Sequence, residues 1–499
     1  MKKIMLLLTA ILSIYIQSSE QVSAEETDIN GEIIYEIFVD RFNNGNHALT
    51  EQVDLEDPYA YHGGDLEGIT RKLDDLKQLG FTTISLSPIF ANAPDGYHGY
   101  WIEDFYEVEE QFGTLEDLQT LVEEAHDRDM KIVLEFVPNY VAKTSPLVSD
   151  PEKSDWFYDN EPIPTGANTW EDNVVRLNQE HPEVEALLMD VADYWIEEAN
   201  IDGLKLHAAD QSSPAFLDTF TTHIKTNNPD FYIIADLLTD NDAKHVFTNP
   251  NIDIVENKPL YEAMTNVFST VDNPTSELYE VWENETPKNG FVYVDNAFTD
   301  RFTQLFSVNG RNSLTVWQLA LTYMLTSPGV PAVYQGSEIP MLGEFPDSQR
   351  LVDFNSGEPD LKEFMERITS LRQEFPVMKY GDYQLVATDQ GMSVFKRTYQ
   401  DETMYIAINN DSESRAVSIE MDSGYQLRGL LGDNIAREQD NGKYKVGIPR
   451  ESAEVYVIEN DTGLNWGFIS PMIVVFLLFV FGIFYLTRKQ KKNNQTGKY

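Results

Sequence analysis

A closed parallel (β/α)8 barrel of the TIM type, followed by a small antiparallel β domain, is the architecture that two patterns in the sequence predict. From Ile33 to about residue 375, short runs rich in β-branched and aromatic residues alternate with segments of helical spacing, as in βα units around a parallel sheet. After about residue 376 the helical spacing stops, and alternating apolar and polar runs follow one another across Asn, Asp and Gly turns.

The N-terminal end reads as an export signal. Lys2 and Lys3, the apolar run from Ile4 to Ile16 and the small-residue pattern Val22-Ser23-Ala24 predict a signal peptide over residues 1–24, with the barrel in 25–375. "TISLSP" and "KIVLEFVP" are strands that end in proline, and between them Leu115, Leu118, Leu121 and Val122 recur at helical intervals. "GLKLHAA", "FYIIADLL", "GFVYVDN" and "VPAVYQG" continue the strands, so the count approaches the eight of a closed barrel. A strand-poor insert, about 140–185, interrupts the barrel after its third strand. Residues 376–460, with "SVFKRTY", "TMYIAINN" and "AEVYVIEN", make the β domain.

Residues 466–487, "WGFISPMIVVFLLFVFGIFYLT", carry no charge. At about 1.5 Å per residue they can cross a hydrocarbon layer of roughly 30 Å. Arg488, Lys489, Lys491 and Lys492 follow, so the positive-inside rule predicts a single-pass protein of the cell membrane: residues 488–499 form a basic cytoplasmic tail and 25–465 lie outside.

The formal charge is −47 over 499 residues, and both ends are basic, so the outer part is more acidic still. Nucleic acid and anionic lipid are therefore poor partners for it. Aromatic residues at 12% and apolar residues at 42% exclude a disordered acidic chain. With no cysteine, disulfides, thiolate catalysis and Cys-based zinc sites are all excluded.

"IIYEIFVDRFNNGN", "YHGGDLEGI", "DGYHGYWIEDFYEVEEQFGTLEDLQTLV", "RLNQEHPEV" and "PGVPAVYQGSE" occur in this order. Together they resemble the alpha-amylase family of glycoside hydrolases over about residues 30–460. The resemblance implies a barrel with an insert after the third strand, a C-terminal β-sandwich, and retaining chemistry at α-glucosidic bonds. That chemistry uses a carboxylate nucleophile and a carboxylic acid about 5 to 5.5 Å apart. In the family the nucleophile ends the fourth strand, the acid ends the fifth, and a second Asp follows the seventh.

At the first of these positions the chain has Gly203-Leu204-Lys205-Leu206-His207. A glycosyl-imidazolium at His207 would put positive charge beside an oxocarbenium-like transition state, the wrong sign. Lys205 replaces an arginine and lacks its planar fork. Asp210 lies beyond the strand end, elsewhere in the loop. The fifth-strand motif ends in Asp236, a carboxyl one methylene short, and a displacement of roughly 1 Å can cost on the order of 100-fold. After the seventh strand the family's Asp-Asn-His-Asp reads Asp295-Asn296-Ala297-Phe298. In the third-strand motif stand Glu135, Asn139 and Tyr140. His207, Asp236 and Phe298 are thus altered catalytic positions, and the expectation is a pseudoenzyme.

The resemblance implies a sugar-binding set of Tyr97, whose ring matches one that stacks on a pyranose, with His98 and Lys205. The plainer alternative is that Tyr97, Tyr100 and Trp101 pack the loop and that His98, like His62 and His126, has no role of its own. It also implies calcium held by Asp40, Asn44, Asp65 and the backbone of Gly63, with Asn139 matching a ligand of a second family site. For "DRFNNGN" an Asn-Gly turn without an ion is the alternative. Two functional readings stand at this stage. One is a membrane-tethered protein that binds α-glucan or oligosaccharide, or serves as an accessory subunit of a membrane-protein partner, as the heavy chains of heteromeric amino-acid transporters do on a similar fold. The other is an active α-glucan hydrolase or transglycosylase with an unorthodox site.

Overall fold

The computed structural model describes residues 28–49, 53–158, 173–239, 243–285, 287, 290–440, 442–461, 463 and 466–496. The expected signal peptide lies outside these. Eight strands among the described residues form the first sheet: β1 (Ile34–Ile37), β2 (Thr83–Leu86), β3 (Lys131–Phe136), β4 (Gly203–Leu206), β5 (Tyr232–Ala235), β6 (Ile254–Val255), β7 (Phe291–Val292) and β8 (Val330–Tyr334). They are ordered β6-β5-β4-β3-β2-β1-β8-β7, every pair parallel, and a parallel bridge between Glu256 and Phe291 joins the two ends. The sheet is therefore a closed barrel without exposed edges.

Side chains two apart on a strand share a face, and this fixes what the interior contains. Ile34, Val133, Ile234, Ile254, Phe291, Val330 and Ala332 pack together inside the barrel. Two residues further along the same faces come Glu36, Glu135, Asp236, Glu256, Tyr293 and Tyr334, which line a cavity at the C-terminal end of the strands. The barrel is apolar at mid-height and polar at its mouth because each strand turns from one residue class to the other at the same level. Gly203 is the inward residue of β4 below Lys205. A Cβ there would lie 2.8 Å from that of Tyr232 on the adjacent strand β5 and 3.0 Å from a methyl of Val133 on β3, so glycine makes room for both neighbours.

The connecting helices follow from local chemistry. Thr114 caps the helix Leu115–His126 in a reciprocal box with Asp117, and Leu118, Leu121, Val122 and Ala125 form its buried stripe. The helix Pro182–Ala199 starts on proline and ends on Asn200 in the left-handed conformation. Part of the insert pairs as a two-stranded ribbon, Tyr140–Ala142 with Val174–Arg176.

The second sheet comprises β9 (Asp382–Asp389), β10 (Met392–Tyr399), β11 (Glu402–Asn409), β12 (Arg415–Glu420), β13 (Tyr425–Gly429), β14 (Ile435–Asp440), β15 (Lys443–Ile448) and β16 (Ser452–Asn460). Their order is β9-β10-β11-β16-β13-β14-β15-β12, all antiparallel, folded into a sandwich. A final helix, Trp466–Thr496, contains Ile469–Lys489, a stretch long and apolar enough to cross a membrane.

Arg372, on the helix Pro359–Glu374, ties the barrel's lower end to the segment leading into the second domain. Fully buried, it donates to the carbonyls of Leu325, Met378, Gly329 and Asn30. Burial, with Arg397 nearby, lowers its pKa to about 9. Replacing it with methionine strands several buried carbonyls, and Arg372→Met is expected to destabilise the protein by about 3 kcal/mol. Denaturant unfolding measures this, and a change within about 0.5 kcal/mol would show that the carbonyls find other donors.

Candidate functional site

The cavity at the barrel mouth, about 280 Å3, lies where the C-terminal strand ends of such barrels carry their chemistry. β4 ends at Leu206, and His207 follows with its N–H donating to the carbonyl of Phe136 on β3. The side chain is 4% exposed. Its Nδ1 lies 3.1 Å from Asp236 Oδ2 and 3.1 Å from Glu135 Oε1. Burial alone would lower the pKa of this ring, but the two carboxylates outweigh it and raise the pKa to about 10. His207 is accordingly an imidazolium clamped between anions, with no lone pair at Nδ1 for attack on carbon.

Each neighbouring carboxylate is also engaged. Glu135 Oε1 accepts from the Tyr100 hydroxyl at 2.6 Å. Asp236 accepts from the N–H of Ala208, and although burial opposes its charge, His207 and Lys205 bring its pKa below the usual value. Lys205 Nζ turns to Glu36 at 2.7 Å and stands 3.9 Å from Glu135. Burial works against its charge too, but Glu36 and Glu135 together raise its pKa above the ordinary lysine value. Glu256 accepts from the Tyr293 hydroxyl and from the N–H of Leu237; burial and the charge of Asp236 raise its pKa to about 7.

The structure thus brings together His207, Asp236, Lys205 and Glu135, and adds Phe298, whose ring centre lies 5.6 Å from that of Tyr100 and 6.4 Å from that of His207. Phe298 lines both this cavity and a cleft of about 420 Å3 outside it, shared with Tyr59, Tyr97, His98, Trp101 and Phe345. The Arg41 guanidinium covers one face of Tyr97 at 4.2 Å. His98 is buried rather than exposed, its Nδ1 accepting from the N–H of Tyr100; burial and then Arg41 lower its pKa to about 3, so it is neutral. His62 is buried as well, against Arg41. Asp295 accepts from Ser337 and the N–H of Phe302, and Asp210 from the N–H groups of Leu238 and Thr239, so both serve to hold loops.

Of the residues expected to hold calcium, Asp40 accepts from the N–H groups of His62 and Gly63 and pairs with Arg41 Nε at 2.6 Å. Asp65 caps the short helix Leu66–Thr70 and accepts from Gly45, Asn46 and Gly68. A Cβ on Gly68 would sit 1.8 Å from the carbonyl oxygen of Asn43, which explains this glycine of "YHGGDLEGI" as a point of backbone contact. Asn44 Oδ1 is buried with no hydrogen-bond partner among the described residues, and its amide lies against Gly63. That lone oxygen suits a hard cation. Asn139 has both side-chain groups engaged: the amide donates to the carbonyls of His207 and Ala208, and the oxygen accepts from Gln179 and Ser212.

Three residues of the site, Glu36, Glu256 and Tyr293, were not singled out from the sequence, although Glu36 stands within "IIYEIFVDRFNNGN" and Tyr293 within "GFVYVDN". Their signal is positional, since Glu36, Glu256 and Tyr293 each follow an inward apolar residue by two.

Residues 36–375 match the family model for the alpha amylase catalytic domain, and residues 381–456 that for the alpha-amylase C-terminal domain. The chain is 31% identical over 460 residues to a cyclomaltodextrinase of Geobacillus thermopakistaniensis, an alignment covering 85% of this chain and 76% of the relative. Among solved structures, an Anoxybacillus alpha-amylase is similar at 43% identity and a TM-score of 0.83, covering 87% of this chain and 99% of that one. The alpha-amylase of Geobacillus thermoleovorans, solved with acarbose, is similar at 40% identity and 0.81, covering 87% and 100%.

Because the folded pKa of His207 stands above the unfolded value of 6.5, its contribution to stability is fully present below pH 6.5 and is lost as pH rises through about 10. Thermal unfolding should therefore weaken across this interval, more steeply for the wild type than for His207→Gln. Ring chemical shifts of labelled histidine are expected to keep one imidazolium signal well above pH 6.5. A neutral His207 near pH 7 would overturn the clamp.

Proposed function

The chain belongs to the alpha-amylase family of glycoside hydrolases, and from that membership we propose a membrane-anchored α-glucan-binding protein that has lost hydrolysis. The observation that carries the reading is the imidazolium of His207 held between Glu135 and Asp236. Retaining hydrolysis needs one free carboxylate to attack and one protonated carboxyl to donate. Here Asp236 is held ionised against a cation, and the carboxylate side chain that the family places after the seventh strand is a phenyl ring at Phe298.

Binding is supported by the outer cleft, where Tyr59, Tyr97, Trp101 and Phe298 offer aromatic faces suited to the C–H face of a pyranose. The acarbose complex of the Geobacillus thermoleovorans enzyme favours a saccharide of the α-glucan class over other ligands. Anchoring rests on the apolar stretch Ile469–Lys489 and the basic residues after it, with residues 28–461 outside the cytoplasm and a membrane-protein partner as the alternative to a glucan. Calcium is proposed at the N-terminal loops, with Asn44, Asp40, Asp65 and the Gly63 backbone as its oxygen donors. An active hydrolase is the second reading, favoured by the enzyme names of the relatives.

Maltooligosaccharide binding by calorimetry, with product release followed in the same sample, separates these readings. Binding without turnover is expected; Tyr97→Ala and Trp101→Ala should each weaken it by about 1–3 kcal/mol, the loss of a stacked ring. Turnover that disappears in both His207→Gln and Asp236→Asn would establish the hydrolase instead. Added calcium should raise the unfolding temperature, by the equivalent of about 2.7 kcal/mol at a hundredfold excess over Kd. An Asn44→Ala chain that responds as the wild type does would remove calcium from these loops.

A further inference from the structure

We propose that Glu135, His207 and Asp236 form a mononuclear site for a divalent first-row transition metal of the zinc or manganese kind. The three residues stand on or just past β3, β4 and β5, which are consecutive neighbours in the barrel, so the backbone fixes their spacing. One ligand atom from each lies within 4.8 Å of the others, and Nδ1 is 3.1 Å from either carboxylate oxygen. Donors bound at roughly 2.0–2.2 Å to one ion sit roughly 3.0–3.4 Å apart in octahedral or tetrahedral geometry, so the two nitrogen–oxygen spacings already match.

The supports around these ligands are those a metal site needs. Tyr100 donates to Glu135; the N–H of Ala208 holds Asp236 Oδ1 and leaves Oδ2 toward His207. Asn139 anchors the carbonyl of His207. Such outer partners orient ligands and set affinity. Lys205, the nearest competing cation, is neutralised by Glu36 at 2.7 Å and reaches Glu135 only at 3.9 Å. The cavity leaves room for the ion's remaining ligands. An independent sign of a polar occupant is Tyr334, 2% exposed, which lines the same cavity and whose hydroxyl has no hydrogen-bond partner among the described residues.

The ion takes the place of the proton on Nδ1, which passes to solvent as the nitrogen lone pair binds the metal. A nitrogen donor and only three protein ligands disfavour calcium, which prefers six to eight oxygens, so this site is chemically distinct from the N-terminal loops. It is independent of glucan binding, which rests on the outer cleft, whereas an ion on Nδ1 would replace the imidazolium of the metal-free protein, so the histidine titration above applies to the metal-free chain.

The test uses the untagged full chain in detergent, stripped of metal and then kept in calcium so that any oxygen site is filled. Zn2+ titration by calorimetry should give one ion per chain. Co2+ should give visible d–d bands of a nitrogen- and oxygen-ligated ion. Glu135→Gln, His207→Gln and Asp236→Asn should each weaken binding by at least about 100-fold, the upper end of what losing a mere outer partner costs. Circular dichroism confirms which variants are folded, and any one folded variant suffices. His223→Gln, which removes a part-exposed histidine–aspartate pair elsewhere, should bind as the wild type does. A folded wild type that takes up no stoichiometric Zn2+ or Co2+, or folded variants that bind as tightly as it does, would overturn the site.

Discussion

Two buried cations, Lys205 and His207, set the terms on which the barrel mouth can exist. Taking a charge out of water costs several kcal/mol unless an opposite charge and hydrogen bonds compensate it. Four carboxylates reach the same cavity, and without the cations their mutual repulsion would force protonation on most of them. The division of partners meets both demands: Lys205 faces Glu36, and His207 faces Glu135 and Asp236. Glu256, buried and beside the charge of Asp236, keeps a raised pKa, and it leans on the Tyr293 hydroxyl. The mouth is therefore held together by pairing, and a change to any one partner leaves another uncompensated.

That arrangement bears directly on chemistry. A glycosidase keeps two carboxyls in different protonation states, one poised to donate and one free to attack. In this barrel the polar groups are committed to one another, which favours rigidity and a fixed charge pattern over proton exchange with a substrate. Phe298 works in the same direction, because its ring borders both the charged cavity and the aromatic cleft and offers no group that can stabilise a cationic transition state. A sugar stacked in the outer cleft would meet apolar faces there, and the charges would stay behind the ring.

Much of this was legible in the sequence, and the exceptions have physical causes. Strands β2, β3, β4, β5 and β8 are almost wholly buried, and short runs rich in Ile, Val and Leu made them plain in "TISL", "KIVLEF", "GLKL", "YIIA" and "VPAVY". β6 was not, because it has only the two residues Ile254 and Val255 inside "NIDIVENK", too few for any period to show. His207, Asp236 and Phe298 were marked by their place in motifs. Glu36 and Glu256 were not, because an acidic residue in a short strand reads as solvent-facing until closure of the barrel shows which side is inside. His62 and His98 carried no mark of burial in the sequence; both are buried, His62 against the Arg41 guanidinium and His98 through the hydrogen bond that its ring accepts from the N–H of Tyr100.

The persistence of the scaffold beside an altered site follows from where each is stabilised. The barrel is held by apolar packing at mid-height, by backbone contacts such as Gly68 against Asn43, and by Arg372 at its lower end. Apart from Phe291, whose ring reaches the floor of the cavity, these lie away from the mouth. The mouth therefore accommodates His207 without cost to the fold, because Glu135 and Asp236 neutralise it. An aspartate at 207 alone would set a third anion between two others and remove the cation that balances them. Electrostatics rather than shape thus stands between this mouth and a two-carboxylate site, and the donors responsible are those proposed to receive a metal ion.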